Sequence, residues 1–145
     1  MRRFFYAVPA LVGLASVSGP TAAQTRIVSE EFMVPAKDPG LELYVRNKRP
    51  EGMTTFRAEK TVVYVHGATY PSETAFDLQL GGQSWMDYIA NRGFDVYLLD
   101  LRGYGRSSRP KEMSEPADKN EPIVTTDVAR ATLEPWWITS CRSAA

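Results

Sequence analysis

The sequence predicts an α/β domain built on a mixed sheet, and three stretches carry that expectation. Thr61–Val65 (TVVYV) is a short apolar run rich in β-branched valine that ends in His-Gly. Gly93–Asp100 (GFDVYLLD) is a second such run and empties into RGYGRSS. Between them lies a stretch with helical periodicity. Short apolar runs bounded by turn residues read as buried strands. Two of them joined through a helix form a βαβ unit, which implies a parallel pair. In open α/β sheets, ligands bind outside the carboxyl ends of the strands. The loops after Val65 and after Asp100 are therefore where function is expected.

The N-terminal part of the domain reads as an antiparallel hairpin at a sheet edge. Glu31–Pro35 is a short strand candidate. Lys37-Asp38-Pro39-Gly40 has turn chemistry. Leu41–Val45 then alternates, with Leu41, Leu43 and Val45 on one face and Glu42 and Tyr44 on the other. Arg46–Lys60 is polar, holds Pro50 and Gly52, and reads as a surface connection. Gly67–Gly82 reads as a long loop, and a loop of that length inside a compact domain is usually functional or disordered. Ser84 and Asp87 are spaced as a capping box opening a helix. Trp85, Tyr88 and Ile89 share a face of that helix, and Gly93 is placed to stop it. Arg102–Thr126 is a polar excursion punctuated by Pro110, Pro116 and Pro122. Asp127–Arg130 begins another helix.

The chain has 145 residues, enough for one domain. Its 17 basic and 17 acidic residues balance, which argues against a nucleic-acid partner. Residues 1–23 read as a secretory signal peptide: Arg2 and Arg3, an apolar run Phe4–Val17, then Thr21-Ala22-Ala23 before Gln24. The apolar run is too short to span a bilayer, so no stable membrane insertion is expected. Arg2-Arg3 only partly matches a twin-arginine signal. The expected location is periplasmic or secreted. Cys141 is the single cysteine and has no internal disulfide partner, and His66 is the single histidine. One histidine and one cysteine offer no metal-ligand spacing, and no cofactor is expected.

The ordered pair TVVYVHGATY (Thr61–Tyr70) and GFDVYLLDLRGYGRSSRP (Gly93–Pro110), with the helix between them, resembles the N-terminal half of the α/β-hydrolase fold. The resemblance covers Glu31 to about Arg130, and the hairpin fits that family's first two strands. The implied fold is a partial α/β-hydrolase sheet: an N-terminal antiparallel hairpin plus two parallel strands with a crossover helix. The implied activity is serine-type hydrolysis of an ester- or amide-like bond in a small-molecule substrate, with dehalogenation or epoxide opening through an Asp nucleophile left open by the same resemblance. The resemblance makes the backbone N–H of Ala68 one half of an oxyanion hole, a fixed donor to the oxygen on which charge develops. Gly67 would let the backbone turn tightly and approach the substrate. Thr69 and Tyr70 would border the same pocket. His66 is placed as a brace of this loop, because the family's catalytic histidine comes last in chain order. Asp100, Arg102, Gly103, Gly105 and Ser107 match the family's DxRGxGxS loop, where Asp and Arg hold the loop. A dinucleotide fingerprint at Gly103-x-Gly105-x-x-Ser108 lacks its third glycine and its helix.

The family's nucleophile stands in G-x-S-x-G, which this sequence does not contain. Ser107 and Ser108 are not placed as nucleophiles. With one histidine, no Ser–His–Asp relay can be assembled. The text also turns irregular after Arg130, at ATLEPWWITSCRSAA, where Pro135 would break the helix. The genetic code permits RDLGAVVDYILQ, an amphipathic helix, in a shifted frame across this stretch. The expected division is therefore 1–23 leader, 24–130 N-terminal part of a hydrolase domain, and 131–145 out-of-frame tail. A chain lacking nucleophile, acid and base is expected to be inactive alone. The alternative is a non-catalytic small α/β protein that binds a ligand or partner at the same two loops.

Overall fold

The computed structural model describes residues 25–132. The leader and most of the proposed tail lie outside the described residues. Four strands form one sheet: β1 (Ile27–Pro35), β2 (Glu42–Pro50), β3 (Thr61–Val65) and β4 (Asp95–Leu99), in spatial order β1-β2-β4-β3. β1 and β2 are antiparallel, β2 and β4 are antiparallel, and β3 and β4 are parallel with Val65 beside Leu99. Three short helices accompany the sheet: α1 (Ser72–Phe76), α2 (Trp85–Ala90) and α3 (Thr126–Thr132). The expected hairpin, parallel pair and crossover helix are all present.

β4 lies between β2 and β3, so every one of its residues is buried. That position explains its unbroken apolar run. Its alternate residues enter two cores. Tyr97 and Leu99 pack with Val34, Leu43 and Val45 on one face. Val96 and Leu98 pack with Tyr44, Met86 and Ala90 on the other, under α1 and α2. α2 opens with the capping box expected from sequence: Ser84 Oγ accepts the Asp87 N–H and Asp87 accepts the Ser84 N–H. Gly93 follows the helix with φ of 80°, a conformation that glycine adopts without strain.

The structure corrects several readings. The hairpin is longer on both sides, and Arg46–Pro50 belongs to β2 rather than to a surface connection. Leu43, Tyr44 and Val45 are all buried, so β2 is covered on both faces. Only β1 is at the hairpin's open edge. The stretch 67–82 is not structureless, because α1 interrupts it. The buried face of α2 carries Met86 and Ala90, while Trp85 is 66 % exposed and Tyr88 40 % exposed. Ile89 does pack against the core, as expected.

Charged residues in β2 are buried because α1, α2 and the segment between them supply their partners. Arg46 Nη1 donates to Asp77 Oδ2 at 2.6 Å, and Lys48 Nζ donates to Asp77 Oδ1 and Asp87 Oδ1, each at 2.6 Å. Ser84 Oγ donates to Asp77 as well. Buried charges persist in proteins only when paired and hydrogen-bonded in this way. Burial alone would push the Asp87 carboxyl up, but hydrogen bonds from Lys48, Gln79 and the Ser84 backbone outweigh it and hold the pKa at about 2. On the opposite face, Asn47 Nδ2 donates to Asp95 Oδ1 at 2.6 Å. This network ties the helical layer to the sheet.

β3 is the outer strand at the other edge, pairing only with β4 among the described residues. Val62 and Tyr64 face the helices, where Tyr64 stacks on Phe76 with ring centroids 4.3 Å apart. Val63, on the other face, is 38 % exposed.

Candidate functional site

The parallel register of β3 and β4 brings the two motif loops to one end of the sheet. The turn that begins at His66 and the corner that begins at Asp100 leave their strands side by side. His66 joins them. Its ring is 5 % exposed, and its Nε2 accepts the backbone N–H of Leu101 at 3.0 Å. A backbone N–H only donates, so Nε2 must carry the lone pair. The proton then sits on Nδ1, which lies 2.6 Å from the Gly67 carbonyl and donates to it. Both ring nitrogens are thus committed to backbone groups. The trans peptide that places the Gly67 carbonyl against His66 points the Ala68 N–H the opposite way.

The Asp100 corner is fixed by its own motif residues. Asp100 is 1 % exposed; Oδ1 accepts the Ser72 N–H at 2.8 Å and Oδ2 accepts the Arg106 N–H at 3.1 Å. The first of these bonds caps the start of α1 from a distant loop. Gly105 has φ of 47°, and a Cβ there would lie 1.9 Å from Asp100 Oδ2, so no other residue fits. Arg102 donates to Asp38 at 2.8 Å and to the Ile123 carbonyl. Ser107 Oγ accepts the Tyr44 N–H at 2.8 Å and donates to the Asp100 carbonyl at 2.6 Å. Ser108 exchanges hydrogen bonds with the Glu42 backbone. Both serine hydroxyls are therefore tied to backbone, Ser107 to β2 and to Asp100, Ser108 to β2.

A cavity of about 220 Å³ opens between the two loops. His66, Gly67 and Ala68 line one side, Leu101 and Tyr104 another, and Val124–Thr126 with Ala129 from the start of α3 close it. No charged side chain is among these lining residues. A family model described as alpha/beta hydrolase fold matches residues 60–134, from the start of β3 through α3. The chain belongs to the α/β-hydrolase fold family. In that family's terms the matched residues hold both motif loops, while the β1–β2 hairpin precedes the matched region and continues the same sheet. None of the curated proteins compared with the chain matches it.

The residues singled out from sequence are distributed unevenly in this hydrolase-fold site. His66, Gly67 and Ala68 come together at the cavity wall. Thr69 and Tyr70 follow the turn, both exposed, and neither is among the described residues that line it. Of the two reasons for a glycine at Gly67, the tight turn is not seen, while the close approach to a substrate is left open. Its φ is not in the left-handed region, and an added Cβ would meet nothing within 4 Å. The space beside it is open rather than tight. Leu101, Tyr104 and the 124–126 segment were missed. Tyr104 stands between the two motif glycines, which was a usable signal. Nothing local marks Val124–Thr126, which reach the cavity only through the fold. Among the described residues no group of three His, Cys, Asp or Glu side chains could hold a metal ion. No helix among them is long and apolar enough to cross a membrane.

Proposed function

We propose that this chain carries the oxyanion half of a hydrolase site acting on an ester- or amide-like bond of a small, uncharged substrate group. The observation that supports this most directly is the cavity at the carboxyl ends of β3 and β4, with Ala68 exposed on its wall. The Ala68 N–H donates to the substrate oxygen as charge develops on it. A fixed donor of this kind is worth roughly 3 kcal/mol in the transition state. His66 braces the turn and takes no proton from a nucleophile, since both its nitrogens are already bonded to backbone. The other half of the chemistry is not in these residues: there is no G-x-S-x-G and no second histidine. The chain alone does not turn substrate over. Residues 1–23 direct export, and residues beyond about Arg130 derive from a shifted frame.

The binding-module reading is favoured by the same commitment of His66, whose ring is not free to act as a general base on the cavity wall. The two readings diverge in the neighbouring DNA. The hydrolase reading expects a G-x-S-x-G codon run within about 40 codons downstream of Arg130 in another frame. A polypeptide joined across that frame should hydrolyse p-nitrophenyl esters and label with a fluorophosphonate. Ala68→Pro, which deletes the N–H, should lower its kcat by roughly a hundredfold to a thousandfold. Absence of that codon run, or unchanged kcat in the proline variant, refutes the oxyanion assignment.

A further inference from the structure

The Gly67–Ala68 peptide sits beside a residue with no Cβ, in open space and at the protein surface. Such a peptide rotates easily, and a rotated peptide would turn a carbonyl, not an N–H, toward the cavity. Two side chains oppose this. His66 holds the carbonyl before Ala68, that of Gly67. Tyr104 holds the carbonyl after it: its Oη donates to the Ala68 carbonyl at 2.8 Å. The Tyr104 ring also leans on the His66 ring, centroids 4.5 Å apart and planes at 50°. Tyr104 itself stands on the short corner 101–107, which is fixed by backbone bonds from Tyr104 to Leu101 and from Ser107 to Tyr104.

We propose that Tyr104 is a positioning residue for the Ala68 N–H. Both peptides flanking Ala68 are anchored, one by each aromatic side chain, so its φ and ψ are set jointly by the two motif loops. This inference rests on the reading of Ala68 as the oxyanion donor only for its catalytic consequence; the clamp itself is a statement about the turn.

The test is Tyr104→Phe in the full chain labelled with ¹⁵N. This variant deletes the hydroxyl and keeps the ring on His66. Backbone ¹⁵N order parameters at Ala68 and Thr69 should fall from the rigid range, about 0.85, to about 0.6 or below. Order parameters at Tyr97 and Leu98 and the urea midpoint should not move. Tyr104→Ala should in addition shift the His66 ring ¹⁵N resonances. Unchanged order parameters at residues 68 and 69, or an equal fall through β3 and β4, overturns the proposal. In the joined enzyme, Tyr104→Phe should lower kcat about threefold to tenfold with KM unchanged. A rise in KM alone would assign Tyr104 to substrate contact instead. Should Ala68→Pro leave kcat intact while Tyr104→Phe still loosens the turn, the clamp stands and the oxyanion reading falls.

Discussion

The two loops at the carboxyl end of the sheet are built in opposite ways. In the corner from Asp100 to Ser108, side chains are used up on backbone: Asp100 holds Ser72 and Arg106, Ser107 and Ser108 extend β2, and Gly105 lies against a carboxylate. In the turn from His66 to Tyr70 only His66 is buried, and Gly67, Ala68, Thr69 and Tyr70 are exposed. The packed corner offers a ligand only the Leu101 and Tyr104 side chains at the cavity wall. The open turn offers main-chain groups beside a cavity and leans on the packed corner through His66 and Tyr104. A motif's sequence specificity thus reports packing at one loop and access at the other.

The largest expected effect is Gly105→Ala. The added carbon would overlap Asp100 Oδ2, and the backbone there has φ of 47°. Relieving the overlap breaks hydrogen bonds to a buried carboxylate, so a loss of about 3 kcal/mol or more is expected in urea unfolding. A near-native Gly105→Ala would abolish the contrast between the loops. Gly103→Ala should cost less, because the atom its Cβ would meet is Met113 Sδ, near the end of a flexible side chain.

Next is the ionic layer between β2 and the helices. Lys48→Met takes the ammonium from Asp77, which keeps Arg46 and Ser84, and from Asp87, which keeps Gln79 and the Ser84 N–H; breaking a buried pair from one side costs about 3 kcal/mol. The same layer gives an acid limit. The folded pKa of Asp87, about 2, lies below its ordinary 3.8. Its contribution is therefore complete above about pH 4 and disappears as pH falls through 2. In Lys48→Met that part of the acid transition should shrink in a pH series of urea midpoints, the Gln79 and Ser84 hydrogen bonds to Asp87 being retained. An acid limb unchanged by the substitution would remove the Lys48–Asp87 bond from the account.

His66→Ala comes third. It leaves the buried Leu101 N–H without its acceptor, at a cost of about 2 kcal/mol, and frees the Gly67 carbonyl. The ¹⁵N shifts of the wild-type ring should show the proton on Nδ1. A ring protonated on Nε2 would contradict the Leu101 bond.

Much of this was legible in the sequence where the determinants are local. β3 and β4 announced themselves as apolar runs, and Ser84 with Asp87 announced the capping box. What failed was what depends on distant partners. Arg46 and Lys48 read as surface because Asp77 and Asp87, which bury them, lie 29 to 39 residues away. α1 was missed because its cap is the Asp100 carboxylate, not the preceding Pro71. On α2 the pair Met86 and Ala90 fits helical spacing as well as Trp85 and Tyr88 do. The larger aromatics took the outer side, where Arg92 stacks on Tyr88 at 3.3 Å. At the cavity, the His66–Ala68 wall was legible from its motif, whereas Val124–Thr126 arrive from a segment with no marker of its own.

The smallest expected effect is the sharpest, because it repeats the largest one's chemistry at the other loop. Gly67→Ala adds the same single carbon as Gly105→Ala. At Gly67 the φ is ordinary and nothing stands within 4 Å. Folded-state strain should be absent, while alanine narrows the unfolded ensemble, so stability should be unchanged or rise by about 0.5 kcal/mol. The added methyl would stand where the turn faces open space. In the joined enzyme Gly67→Ala should therefore reduce substrate hydrolysis without reducing the urea midpoint. A destabilisation of about 1 kcal/mol or more would mean that the turn is as tightly built as the Asp100 corner, and access would no longer distinguish the two.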